Sequence, residues 1–489
     1  MRVPGKRNGR RIPPPTISAR LSAHIALEAH PDGSIFACFE GHSVGLGKFS
    51  ADAVNIAQDL RTGLPLNSFA SDGRTVDKEI DLLVRRLARR GLLEYRLGHS
   101  RDDEEKVVIE PQVPDYWPRM PTLGDAEIVV LSRFAYLRRR GNQMVLESPR
   151  AGALFRICDP KIAAIVAVLS TPQKIGRLRR QEGFPGMELL ALLLDCQILF
   201  RIDASSGDGL RPVEGDDNLV LWDFHDLLFH TRSTEGRHAN PLGGLYPHAG
   251  VIPPLPAVRP HWPGKKIDLR KFSAASSQTN SPVAALLGQR HSTRDFDDQQ
   301  PITLAELSRF LDSTAHVQSK WKSGLDFGDG GPDIEYATRP YPSGGSAYEL
   351  ELYLAVANCE GLARGFYHYD ADRHALVPIE VRTHELDALL AAAESAMDAP
   401  APQILITIAA RFGRTAWKYS SIAYALILKD VGVLVQTLYM MATDMGLGGC
   451  AIGSINIDLF AKMTGIEFHI EGPVGQFAIG RGRKPAASG

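Results

Sequence analysis

A chain of 489 residues exceeds what one hydrophobic core usually organises, and predicts roughly two to four domains at about 100 to 200 residues each. Its 44% hydrophobic and 23% charged residues are those of an ordinary globular protein, neither disordered nor fibrous. With 55 Lys plus Arg against 56 Asp plus Glu, no global field exists to hold nucleic acid or an anionic membrane, so neither is expected as a partner.

The basic opening from Arg2 to Arg11 lacks the apolar run of a secretory signal and reads as a solvated terminus, which predicts a cytoplasmic protein. Two stretches then share one plan. In the first, a strand at Ser34–Phe39 precedes a helix near Ala51–Thr62. A second helix from Val76 to Arg90, with Ile80, Leu83, Val84 and Leu87 at helical spacing, then leads through Gly91 into a strand at Leu92–Tyr95. The second copy repeats that order with a strand at Gln143–Glu147, helices at Pro160–Leu169 and Gly186–Cys196, and a closing strand at Ile198–Ile202. Units of this size and order predict two small winged-helix-like modules, residues 1–100 and 120–204. Arg85, Arg86, Arg89 and Arg90 sit on the solvent face of an amphipathic helix, which suits solvation better than DNA reading.

Residues 205–280 are rich in Gly, Asp and Pro and read as a connector holding one apolar helix, Leu219–Thr231. His225 and His230 on that helix are five apart, not the three or four that share a helical face, so they are read as structural and no metal is expected. The five cysteines stand far apart without a CxxC pair, which supports neither a disulfide framework nor a zinc cluster.

Chemistry concentrates in residues 281–489. Ser281-Pro282 supplies an N-cap and a proline at the first helical position, and the helix it opens ends at Arg290-His291-Ser292-Thr293-Arg294-Asp295-Phe296. Extended chain there points residues 290, 292 and 294 to one side, offering two guanidiniums and a hydroxyl to one anionic ligand. Standing alone, the pattern would read as a solvated surface turn. Arg339 to Ser346 forms a proline-glycine loop feeding a strand at Leu350–Val356, and such a loop lets backbone approach a flat ligand.

Between Ile422 and Met441 an apolar stretch is interrupted by Lys429 and Asp430, which predicts a buried core helix rather than a membrane span. That helix, Ser420 to Met445, runs into Gly446–Gly453, where glycines expose main-chain amides to a ring nitrogen. Phe477 to Lys484 then delivers Arg481 and Arg483, which either complete a phosphate site or end a basic tail.

In this order, Arg290–Phe296 (RHSTRDF), Arg339–Leu354 (RPYPSGGSAYELELYL), Trp417-Lys418-Tyr419 and Met445–Gly453 (MGLGGCAIG) resemble the SagB/ThcOx-type dehydrogenases, the azoline oxidases of the nitroreductase superfamily. The resemblance covers roughly residues 281–484. It implies an α+β protein whose nitroreductase-like FMN domain follows the two winged-helix-like modules and forms a homodimer with flavin at the interface. The implied activity is oxidation of azolines to azoles in a ribosomally made, modified precursor peptide, with a cyclodehydratase complex as a further partner.

By that resemblance Arg290 and Ser292 hold the FMN phosphate and ribityl chain, and Arg294 faces the N1/C2 edge of the ring, where a cation favours reduced flavin. Pro342, Ser343 and Gly344 line the flavin from the partner protomer. Gly449, Ile452 and Gly453 lie near N5, and Arg481 or Arg483 adds to the phosphate clamp. Lys418 and Tyr419 resemble the pair that removes a proton while hydride passes to flavin, a task needing a base close to the ring. Apart from the resemblance, Lys418 would read as a surface cation and Tyr419 as a packed aromatic.

Two departures stand out: Ala425, near which the family pattern has an arginine, and Val433, where it has a histidine. They bear on the substrate rather than on the flavin. The N-terminal modules are similar to peptide-recognition elements that add a leader peptide to a sheet edge, and they equally suit a structural role. Two other functions fit the same motifs: a general NAD(P)H-dependent nitro- or quinone reductase, and a non-catalytic scaffold presenting a leader peptide.

Overall fold

The computed structural model describes residues 16–39, 42–67, 75–98, 105–181, 184–202, 217–234, 249–259, 263–269, 281–324 and 332–483. It divides into two compact units, Met1–Ala239 and Asn240–Gly489.

The first unit is built on an antiparallel sheet in the order Leu64–Pro65, Thr16–Leu21, Leu93–Gly98, Val107–Pro111, Ala153–Ile157, Gln143–Glu147, Tyr136–Arg140. The strands and helices expected of both copies form within a residue or two at most ends, because their apolar periods fix which face must be buried. In the helix Thr75–Arg89 the buried residues include Ile80, Leu83, Val84 and Leu87. The two copies are nevertheless one body. Val107–Pro111, in the stretch between them, pairs Ile109 with Tyr95 of the first copy and with Phe155 of the second. A single apolar cluster consequently runs from Ile17 to Leu199. A strand rich in valine and isoleucine covers an edge that each copy would otherwise leave unpaired.

Phe224–Arg232 is helical, as the apolar pattern predicts, and packs within the first unit. Arg133 donates to the carbonyls of Leu219 and Trp222, and Arg232 reaches Glu147 at 3.1 Å. His230 is fully buried, its ring stacked 5.8 Å from Trp222, whereas His225 is exposed. Much of the expected connector (205–216, 235–248, 260–262 and 270–280) lies outside the described residues.

The second unit is α+β. Its larger sheet has six antiparallel strands in the order Ala375–Ile379, Gly365–Asp370, Leu350–Val356, Ile404–Arg411, Glu471–Gly480, Gly448–Ile452. Ile404–Arg411 is buried at all but its last residue, which makes it the centre of the core. The helix Leu304–Ala315 starts on a reciprocal capping box between Thr303 and Glu306.

The helix Ala423–Asp444 is long and apolar enough to cross a membrane by length and composition. The sequence predicts it as a core helix, and the structure buries one side of it. Ile427, Leu434 and Leu438 are buried, but Ala425, Lys429, Gly432 and Gln436 form an exposed stripe at helical spacing. The small residues of that stripe leave space beside the backbone instead of filling it: a Cβ on Gly432 would meet nothing within 4 Å.

Candidate functional site

Two sets of candidate residues are moored to that helix. At its C-terminal half, the Tyr439 hydroxyl lies 2.9 Å from Ser292 Oγ and accepts from the Ala451 amide at 2.8 Å. The Arg290 guanidinium stands 5.2 Å from the Tyr439 ring centroid. The Thr293 amide donates to the Gly449 carbonyl at 2.8 Å, so the Arg290–Arg294 segment runs against the glycine-rich strand as a docked piece of backbone. Glycine is required on that strand. A Cβ on Gly448 would come 2.6 Å from Thr293 Cγ2, and one on Gly449 would strike the Phe477 ring. Ile452 is buried, while Gly453 is exposed with open space where a side chain would stand.

The four candidate arginines divide. Arg481 places both Nη2 bonds on the Glu306 carboxylate at 2.8 Å, and Arg483 pairs with Asp295 at 3.3 Å. Among the described residues no carboxylate takes Arg290 or Arg294, and Arg294 is exposed. The positive charge left for an anion therefore lies at 290 and 294.

At the N-terminal half of the helix, Asp430 accepts from Ser343 Oγ at 2.9 Å and from the Gly344 amide at 2.8 Å. Ser343 also donates to Glu349 at 3.3 Å and accepts from the Tyr348 amide at 3.0 Å. The two carboxyls thus pin the loop that follows Pro342. Burial pushes the Glu349 carboxyl up to about 7, and the Asp430 carboxylate adds to the rise. The loop is held in an unusual conformation, with left-handed φ at Gly345 (62°), Ser346 (56°) and Tyr348 (44°).

Lys418 and Tyr419 follow the short helix Phe412–Ala416 and converge on this loop. Lys418 Nζ donates to the Gly345 carbonyl at 3.1 Å and lies 5.9 Å from the Tyr336 ring centroid. A Cβ on Gly345 would strike the Tyr419 hydroxyl and stand 2.7 Å from Lys418 Nζ. A base candidate that is itself exposed and a half-buried phenol thus meet above the exposed backbone of Gly345.

Asp430 and Tyr439 are nine residues apart, roughly two and a half helical turns, so within one chain the two sets meet opposite sides of the helix. Sequence reasoning missed Tyr439, Asp430 and Glu349. Asp430 alone left a signal, as an acid inside an apolar helix.

Residues 287–481 match the nitroreductase family, and residues 129–239 match the cyanobactin oxidase ThcOx. A protein of Methanocaldococcus jannaschii named as a nitroreductase is 34% identical over 171 residues, 35% of this chain and 77% of that protein. The microcin B17-processing protein McbC of Escherichia coli is 30% identical over 121 residues, 24% of this chain and 44% of McbC. The trifolitoxin-processing protein TfxB of Rhizobium leguminosarum bv. trifolii is 24% identical over 151 residues, 30% of this chain and 40% of TfxB. The chain therefore spans less than half the length of each peptide-processing relative.

Proposed function

Because the chain belongs to the nitroreductase family, we propose that it is an FMN-dependent oxidoreductase that dehydrogenates azolines to azoles in a modified ribosomal peptide. The observation that carries the reading is the convergence of Lys418 Nζ and the Tyr419 hydroxyl on Gly345. A ThcOx match in the same chain and the likeness to McbC and TfxB support a peptide as substrate.

The donor set fits FMN: Arg290, Ser292 and Arg294 present charge and a hydroxyl with no carboxylate paired to them among the described residues, beside glycine backbone open at Gly453. Those three residues would hold the phosphate and the electron-rich edge of the ring, with Arg481 and Arg483 behind them tied to acids. When bound, FMN supplies the acceptor for the hydride equivalent leaving the azoline carbon. Lys418 is the group placed to take the proton from the neighbouring carbon, and the half-buried Tyr419 hydroxyl to share it.

The reading includes a homodimer, which the same arrangement suits. The Pro342–Gly344 loop and the Arg290–Arg294 segment lie on opposite sides of Ala423–Asp444, and the exposed stripe from Ala425 to Gln436 suits a second copy. Two copies would then let the loop of one protomer meet the arginines of the other. The element order of the first unit supports winged-helix-like modules, whose edge strand Tyr136–Arg140 suits an added leader-peptide strand, with a cyclodehydratase complex as the supplier of azolines.

Anaerobic stopped-flow mixing tests the reading. The flavin absorbance should bleach with a cyclodehydrated peptide and respond slowly to NADPH. Rapid bleaching by NADPH together with indifference to the peptide would establish a general reductase instead.

A further inference from the structure

The antiparallel hairpin of Ser319–Gly324 and Asp333–Thr338 forms a two-stranded sheet of its own, and its first strand is exposed at every residue. On it Trp321 and Tyr336 stand directly opposite and stack, with ring centroids 5.5 Å apart at 15°. Beneath the hairpin is a cavity of about 460 Å³, reaching Tyr348 of the strained loop.

Its lining is charged in one sense, with Lys320, Lys322, Arg339, Arg411 and Arg414 against the single carboxylate of Glu335. Some of this charge is already used. Lys322 pairs with Glu335 at 3.0 Å, Lys320 with Asp372 at 2.7 Å, and the buried Arg339 with Glu351 at 3.6 Å. Arg411 reaches Glu351 only at 3.9 Å and is 55% exposed, while Arg414 donates to the main-chain oxygens of Ala347 and Glu335. Two guanidiniums therefore face the cavity with carboxylate capacity to spare. The same cavity adjoins the candidate catalytic pair, because Lys418 Nζ lies 5.9 Å from the centroid of Tyr336.

We propose that this cavity is a docking subsite for an acidic stretch of the peptide substrate next to the heterocycle, with its carboxylates on Arg411 and Arg414. The inference rests on the peptide-oxidase reading. A peptide is favoured over a dinucleotide because an exposed strand beside the cavity offers main-chain donors and acceptors to an extended chain. The stacked Trp321–Tyr336 pair adds a flat apolar floor for whatever side chain lies between the carboxylates.

The test uses the flavin-loaded full chain and two fluorescein-labelled thiazoline peptides, identical except that one carries three Glu beside the ring and the other three Gln. Anisotropy should show the Glu peptide binding about tenfold more tightly at low salt, with the difference shrinking as salt rises. Arg411→Glu, which replaces one of the two guanidiniums by a carboxylate, should abolish that preference and leave the Gln peptide bound as before. A matching peptide with three Lys should then gain affinity for the variant, which a misfolded protein would not show. Equal binding of the Glu and Gln peptides to the unaltered protein, or equal loss of both in the variant, would overturn the subsite. Displacement of the Glu peptide by NADPH, sensitive to the same substitution, would reassign the cavity to a dinucleotide phosphate. An acidic preference in a protein that leaves thiazolines unoxidised would leave the subsite standing and remove only the azoline reading.

Discussion

Lys418 sits against Gly345: its Nζ lies 2.7 Å from where a Cβ on Gly345 would stand and 3.1 Å from the Gly345 carbonyl oxygen, so a side chain there would displace both Lys418 and Tyr419. The loop and the proposed base are therefore one unit, and displacing either moves the other.

Gly345→Ala should separate them. The added methyl collides with Lys418 and Tyr419 at a residue whose φ is 62°, so we expect about 1–2 kcal/mol of lost stability and at least tenfold slower azoline oxidation. Denaturant unfolding and peptide mass measured on the same preparation check both parts; unchanged turnover would show that the contact is incidental.

Lys418→Ala and Tyr419→Phe should leave the flavin spectrum intact and slow the chemical step, by about 10² to 10⁴-fold for the base and less for the phenol. Single-turnover rates with thiazoline peptide read this directly. A scaffold that only presents a leader peptide would show no change in ring oxidation in either variant.

Much of this was legible in the sequence. Helical spacing of Ile80, Leu83 and Val84 fixed the buried side of their helix, and Leu350–Val356 formed with the bounds its composition suggested. What could not be read were partnerships across long separations. Ser292 meets Tyr439, 147 residues away, and Ser343 meets Asp430 at a separation of 87, and neither pairing has a local period to announce it. Arg481 and Arg483 read as free cations because Glu306 is 175 residues from its partner and the Asp295 contact depends on strand closure. Val107–Pro111 read as a gap because a strand that joins two edges gains its role only from its neighbours.

The Glu349 carboxyl gives the protein a predicted pH response. Unfolded, it releases its proton near 4.5; folded, near 7. The folded state therefore holds the extra proton between these values, and the stability this contributes is full below about 4.5 and lost as pH rises to about 7. Glu349→Gln should flatten the dependence and exceed the wild type above pH 7 by up to about 3 kcal/mol. Unfolding midpoints at pH 5 and pH 8 decide it, and a wild-type stability that rises across this range would contradict the assignment.

Tyr439→Phe removes the hydroxyl shared by Ser292 and the Ala451 amide. About 1–3 kcal/mol of stability should go with it, and FMN should be lost more readily on dialysis, because the segment carrying Arg290 is no longer pinned. Retention of flavin equal to that of the unaltered protein would separate Tyr439 from the cofactor site.

The most direct measurement is the mass of a cyclodehydrated peptide after incubation in air with the flavin-loaded chain. The account predicts that each azoline loses two hydrogens in the presence of the protein and none with Lys418→Ala. A peptide of unchanged mass, alongside a flavin that NADPH reduces rapidly, would contradict it.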